Sequence, residues 1–217
     1  MKQLNYYIVE KLKINKDSNN KPEYHYHPEK LSELIKLLIK LVNKRGSDAD
    51  LNDVDVSRIT DMSDLFHRVN HLSKYKIQFI DISKWDVSNV EDFESMFERC
   101  SNFTSDLLRW DFSSAKNVKF MFLNCSKFNS EVGEWKFNPE LTNMLRMFDG
   151  CESFEGYGLD QWDVSNIKDF RKTFLRCKSL HPFNNLNNWK LNKKVVVEDM
   201  FRDCGNITKP NWYKEEN

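Results

Sequence analysis

Between about residue 51 and residue 205 the apolar positions of this chain repeat every 23–27 residues. Tryptophan stands at Trp85, Trp110, Trp135, Trp162, Trp189 and Trp212, and a second ladder runs Phe97, Phe122, Phe148, Phe174 and Phe201. Met96, Met121, Met147 and Met200 precede four of these phenylalanines, with Thr173 before the other. Three residues after each Phe comes a cysteine, Cys100, Cys125, Cys151, Cys177 and Cys204, and these are all the cysteines of the chain. A leading copy without the Trp or the Cys runs from Asp55 through Met62 to Leu65-Phe66. Periodicity of this kind is the mark of a repeat architecture.

Within one unit, Phe79-Ile80-Asp81-Ile82-Ser83-Lys84-Trp85-Asp86-Val87 mixes β-branched and aromatic residues in partial alternation, which predicts a short strand. Ser88 and Glu91 have capping-box spacing, and Val90, Phe93, Phe97 and Cys100 fall at i, i+3, i+7 and i+10, which predicts a short helix. One unit buries too few rings to offset the entropy of ordering its backbone, so the units must stack. The fold class expected is an α/β repeat solenoid, leucine-rich-repeat-like, of about six strand-plus-short-helix units of ~25–27 residues with an N-terminal helical cap. The cap is Leu31, Leu34, Ile35, Leu38, Leu41 and Val42 at helix spacing, opened by Pro28-Glu29-Lys30 and ended by Gly46. Before it, Leu4 to Ile14 and Tyr24 to His27 predict a hairpin or a short helix. The divisions are an N-terminal segment and cap (1–48), the repeats (49–208) and a tail (209–217), in which Trp212 covers the last unit.

Composition narrows the function classes. Of 217 residues 40% are hydrophobic and 30% charged, the balance of a folded chain. Lys plus Arg and Asp plus Glu number 33 each, so no global field draws in a polyanion, and nucleic acid is not expected as the main partner. The start lacks the apolar run of a secretory signal, and no later stretch is long enough to cross a bilayer. A cytoplasmic location with no membrane partner is the expectation.

Candidate chemistry is sparse. The cysteines form no C-x-x-C pair, are odd in number and share one phase, so a buried thiol ladder is expected rather than a metal site or disulfides. His25 with His27 and His67 with His71 are pairs without a third ligand or a metalloprotease Glu. No phosphate-binding glycine loop or nucleophile motif is present, and neither cofactor nor metal is expected. The recurring Asp55, Asp86, Asp111 and Asp163 are read as turn residues whose oxygens bond local N–H groups, since Lys136 and Lys190 hold the same phase.

The units Trp85 to Phe103 and Trp162 to Cys177 resemble the BspA-like leucine-rich repeat, W-D-V-S-N-V-T-D-M-x-x-M-F-x-x-C-x-x-F-N, and the resemblance covers roughly Leu51 to Cys204. It implies a binding protein. Members of that family are mostly bacterial surface proteins implicated in adhesion, with related repeats in protist and phage-borne reading frames. The expected function is non-enzymatic protein–protein recognition, including inhibition of a host protein by a mobile-element product. A surface adhesin and, more remotely, a hydrolase or transferase are the alternatives. The candidate recognition rows precede each Trp: Lys84, Arg109, Glu134, Gln161 and Asn188, with Asp160 from the next row back. They change identity at every step while the core ladder stays fixed.

Overall fold

A computed structural model of the chain describes residues 23–181, 185–205 and 207–214. Helix α1, Leu31–Arg45, buries Leu34, Ile35, Leu38, Leu41 and Val42, the stripe that the spacing predicts. Gly46 ends it at φ 94°, its N–H donating to the Val42 carbonyl. Arg45 then fixes the helix to the chain that follows, donating to both Asp53 carboxylate oxygens at 2.7 and 2.6 Å and to the Asp50 carbonyl at 2.6 Å. Helix α2, Leu65–Leu72, packs against α1 and buries Leu65, Phe66 and Val69. The N-terminal hairpin expected from Leu4 to Ile14 lies outside the described residues, whereas Tyr26 makes a parallel bridge with Val54.

The expected α/β leucine-rich solenoid of strand-plus-helix units is corrected. Among the described residues there is no β-strand and no sheet, only isolated parallel bridges, the two α-helices and two 3-10 turns, Leu159–Gln161 and Leu186–Asn188. The units are coils made of successive tight turns. In the coil of Phe97, N–H groups reach carbonyls three residues back at Trp85 to Ile82, Val90 to Val87, Met96 to Phe93, Cys100 to Phe97 and Phe103 to Cys100. Each bond joins two buried apolar residues. Between them the chain visits the left-handed region at Ser95 (φ 55°) and Arg99 (φ 60°), and the next coil does so at Phe120 and Asn124. No helix continues through such residues. Turns that close every three or four residues place apolar side chains at helix-like intervals, so Val90, Phe93, Phe97 and Cys100 carry the spacing of a helix without forming one.

Six coils, identified by Phe66, Phe97, Phe122, Phe148, Phe174 and Phe201, lie on one another. Alternate peptide groups point along the stack: the Asp92 carbonyl accepts from Met62 N–H, and the N–H of the same peptide, on Phe93, donates to Asn117, both at 2.8 Å. Rings follow the same axis, with centroids 5.1 to 5.8 Å apart from Phe66 through Phe201. Residues from α1 to the last coil share one buried apolar interior. Trp212 continues the tryptophan column, stacked on Trp189 at 6.1 Å, and Tyr213 sits edge-on to Phe201 at 5.1 Å.

Candidate functional site: the outer faces of the stack

The inner columns are fixed by side-chain bonds to backbone. Each indole N–H donates to a carbonyl of the coil before it: Trp85 to Leu51, Trp135 to Leu107, Trp162 to Val132 and Trp189 to Leu159, at 2.8–2.9 Å. Thiols behave alike, Cys125, Cys151, Cys177 and Cys204 donating to the carbonyls of Phe97, Phe122, Phe148 and Phe174. Burial raises the pKa of every thiol, that of Cys204 to about 12, so none is poised as a thiolate nucleophile. The recurring aspartates are turn residues: Asp55, Asp86, Asp111 and Asp163 accept the N–H of the serine two positions on, at 2.9–3.1 Å.

Lys84, Arg109, Glu134, Gln161 and Asn188 are all exposed. Each is the third residue of the turn closed by the following Trp, a corner position that turns its side chain outward. Asp160 is half-buried beside this edge and accepts from Gln161 Nε2 at 2.8 Å. The row is therefore one continuous edge of varied charge. It lies at a turn corner rather than on the face of a sheet.

A second outer face is formed by the turns that carry the axial bonds, and here charge is segregated. In the first two coils Asp61, Asp64, Asp92, Glu94 and Glu98 outnumber Arg68 and Arg99. Across the next three, Lys119, Arg146, Arg171, Lys172 and Arg176 outnumber Asp149 and Asp169. In the last, Glu198, Asp199 and Asp203 outnumber Arg202. The two acids of the central band are withdrawn from solvent. Asp149 is 0% exposed, its Oδ1 receiving Arg176 Nε at 3.0 Å and Nη2 at 2.6 Å, while its buried Oδ2 has no hydrogen-bond partner. Burial of Asp169 opposes its ionisation, but hydrogen bonds from the Arg171 side chain and N–H outweigh that and hold its pKa below the usual value. Sequence reasoning missed this face because a zero total charge conceals bands of opposite sign; grouping residues by repeat position would have found it.

A hollow of about 290 Å³ is lined by His67, Asn70, His71, Lys76, Glu98 and Arg99. His67 Nδ1 donates to the Glu98 carbonyl at 3.0 Å, and Lys76 Nζ donates to the Asn70 carbonyl at 2.7 Å. Among the described residues no three His, Cys, Asp or Glu side chains are grouped to hold a metal ion. Nor is any helix among them long and apolar enough to cross a membrane.

A family model described as "Mycoplasma protein of unknown function, DUF285" matches residues 38–155 and again 138–214. No curated protein and no solved structure matches. This corrects the resemblance to BspA-like leucine-rich repeats: the matching family is a different one, and the described coils lack the strands of a leucine-rich repeat. The shared W-D-V-S-N motif reflects a turn requirement, Asp oxygens accepting Ser N–H groups beside a buried ring, which does not by itself specify a strand.

Proposed function

The chain belongs to the DUF285 family, and we propose that it is a non-enzymatic protein-recognition module that binds through the outer faces of its coil stack. One contrast carries this reading. Inward positions are locked column by column into backbone hydrogen bonds and ring contacts, whereas the outward positions of the same turns change charge from coil to coil. A rigid frame with independently variable surface positions suits recognition, because affinity is not spent on ordering the binding face. The thiols of Cys125 and Cys151, fully buried, are protonated and hydrogen-bonded to backbone, which suits a structural role.

A partner captured from the source cell provides the test. Replacing Arg109 and Glu134 together by Ala is expected to weaken its binding by about tenfold, the loss of one or two interfacial contacts. Unchanged affinity removes the edge preceding the tryptophans as the site. A chain that captures no protein sinks the recognition reading altogether.

A further inference from the structure

We infer that the axial face of the third, fourth and fifth coils docks an acidic polypeptide segment that also carries apolar side chains. The inference rests on the recognition reading and names the face and the chemistry of the partner. Phe120, Leu123 and Leu145 are half-buried on this face. The frame does not require apolar residues there. In the column of Phe120 other coils carry Ser95, Arg146, Lys172 and Asp199, and in the column of Leu145 they carry Ser63, Glu94, Lys119 and Arg171, as the register of the axial bonds shows. Phe120 and Leu145 are thus apolar exceptions in their columns that packing leaves unexplained, and Leu123 extends their patch along the third coil.

Charge says what covers it. Arg146, Arg171, Lys172 and Arg176 border the patch on the side of the fourth and fifth coils, and the acids of these two coils, Asp149 and Asp169, are sunk below them, while Lys172 also pairs with Asp199 of the last coil at 3.7 Å. Arg146 Nε stands 3.7 Å from Asp149 Oδ2 and Arg176 Nη2 2.6 Å from Oδ1, so two guanidinium groups share one buried carboxylate and the surface above it stays cationic. Arg176 and Arg146 side chains are 44% and 39% exposed, reachable by a partner's carboxylates. A peptide segment fits better than a nucleic acid. The basic band spans only three coils and is bounded by acidic coils on both sides, which repel the ends of a long polyanion, while a short acidic segment ends within the band.

Fluorescence anisotropy tests this with a labelled peptide of alternating Glu and Leu, a Lys-for-Glu counterpart, a Ser-for-Leu counterpart and single-stranded DNA of equal charge. The Glu/Leu peptide is expected to bind, the Lys version not to bind, and the Ser version to bind about tenfold more weakly. Phe120→Ser with Leu145→Ser places serine where Ser95 and Ser63 already stand, and is expected to weaken binding about tenfold with thermal unfolding unchanged. Lys172→Ser, which copies Ser95 in its column, is the second variant; it should reduce affinity severalfold and flatten the salt dependence. Tighter binding of the DNA, equal binding of the Lys peptide, or affinity indifferent to both variants overturns the inference. So does self-association abolished by the serine pair, which makes a second copy the occupant. Should the peptides fail while a captured protein still binds the chain, this inference falls and the recognition reading stands.

Discussion

Arg176 shows how much a single side chain can hold. Its guanidinium reaches Asp149 in the preceding coil and Asn124 Oδ1, at 3.2 Å, two coils back. Gly150 makes room for it: at φ 78°, a Cβ there would come within 2.6 Å of Asn124 Oδ1. Removing this cation leaves a fully buried carboxylate with no side-chain hydrogen-bond donor and only Arg146, 3.7 Å away, as a charge partner, so Arg176→Ala is expected to cost about 3 kcal/mol in urea denaturation. Adding Asp149→Asn should restore part of that. A loss below about 1 kcal/mol would mean that water solvates Asp149. The thiols make a second prediction, in the alkaline range. A group whose folded pKa is raised contributes fully below its unfolded pKa, near 8.5 for cysteine, and loses that contribution as pH rises toward the folded value. At pH 9.5 each buried thiol then costs about 1.4 kcal/mol relative to neutral pH. Melting temperature should therefore fall steeply between pH 7 and 9.5, and replacing Cys125, Cys151 and Cys177 by Ala should flatten that fall. An unchanged slope would place the alkaline sensitivity elsewhere.

At the scale of elements, the α1 helix was legible because nothing competes with its spacing: five of the six apolar positions of the stripe are buried and Gly46 ends it at a positive φ that suits glycine. The coils were legible as a repeat but not as turns. Phe93, Phe97 and Cys100 meet the interior at intervals that suit a helix, and only backbone angles, such as Ser95 and Arg99 in the left-handed region, separate the two. Ser95, Arg99, Phe120, Arg146, Lys172 and Arg176 hold six of the ten non-glycine left-handed positions among the described residues, so the Asp and Asn that usually announce positive φ mark only the other four. Strands were expected where β-branched residues cluster, yet Ile80 and Ile82 flank a single bridge at Asp81, because the Ile82–Trp85 turn bends the chain away immediately. Close coil contact adds its own demand. Gly158, at φ 90°, would bring a Cβ to 2.4 Å from the Gly133 Cα, a backbone clash that no rotamer relieves. Gly158→Ala is therefore expected to destabilise by at least about 3 kcal/mol, combining left-handed strain with overpacking. Equilibrium denaturation checks it, and a near-neutral result would show that the two coils can separate at this corner.

For the whole molecule, the candidate faces were legible to different degrees for one reason. The edge of Lys84, Arg109 and Glu134 could be read because it adjoins the most conspicuous ladder, whereas the charged bands appear only when residues far apart in sequence, such as Arg146 and Lys172, are laid over one another by axial bonds. The same neighbour-on-neighbour construction governs stability. An inner coil buries ring surface on two sides, so Trp135 touches Phe112, Phe122, Phe148 and Trp162 and is 4% exposed. Trp212 at the end stacks on Trp189 from one side and remains partly exposed. Nearest-neighbour coupling then makes position decide the cost of an identical substitution. Trp135→Ala should lose about 3–5 kcal/mol, as a cavity opens and the Leu107 carbonyl loses its donor. Trp212→Ala should lose about half as much, because the ring is only partly buried and among the described residues stacks on one tryptophan. Hydrogen exchange separates the cases: the inner change should raise exchange throughout the stack, and the terminal one only in the coil of Phe201. Uniform loss of protection from the Trp212 change would instead mean that the last coil nucleates the rest, and that the stack folds as one indivisible unit.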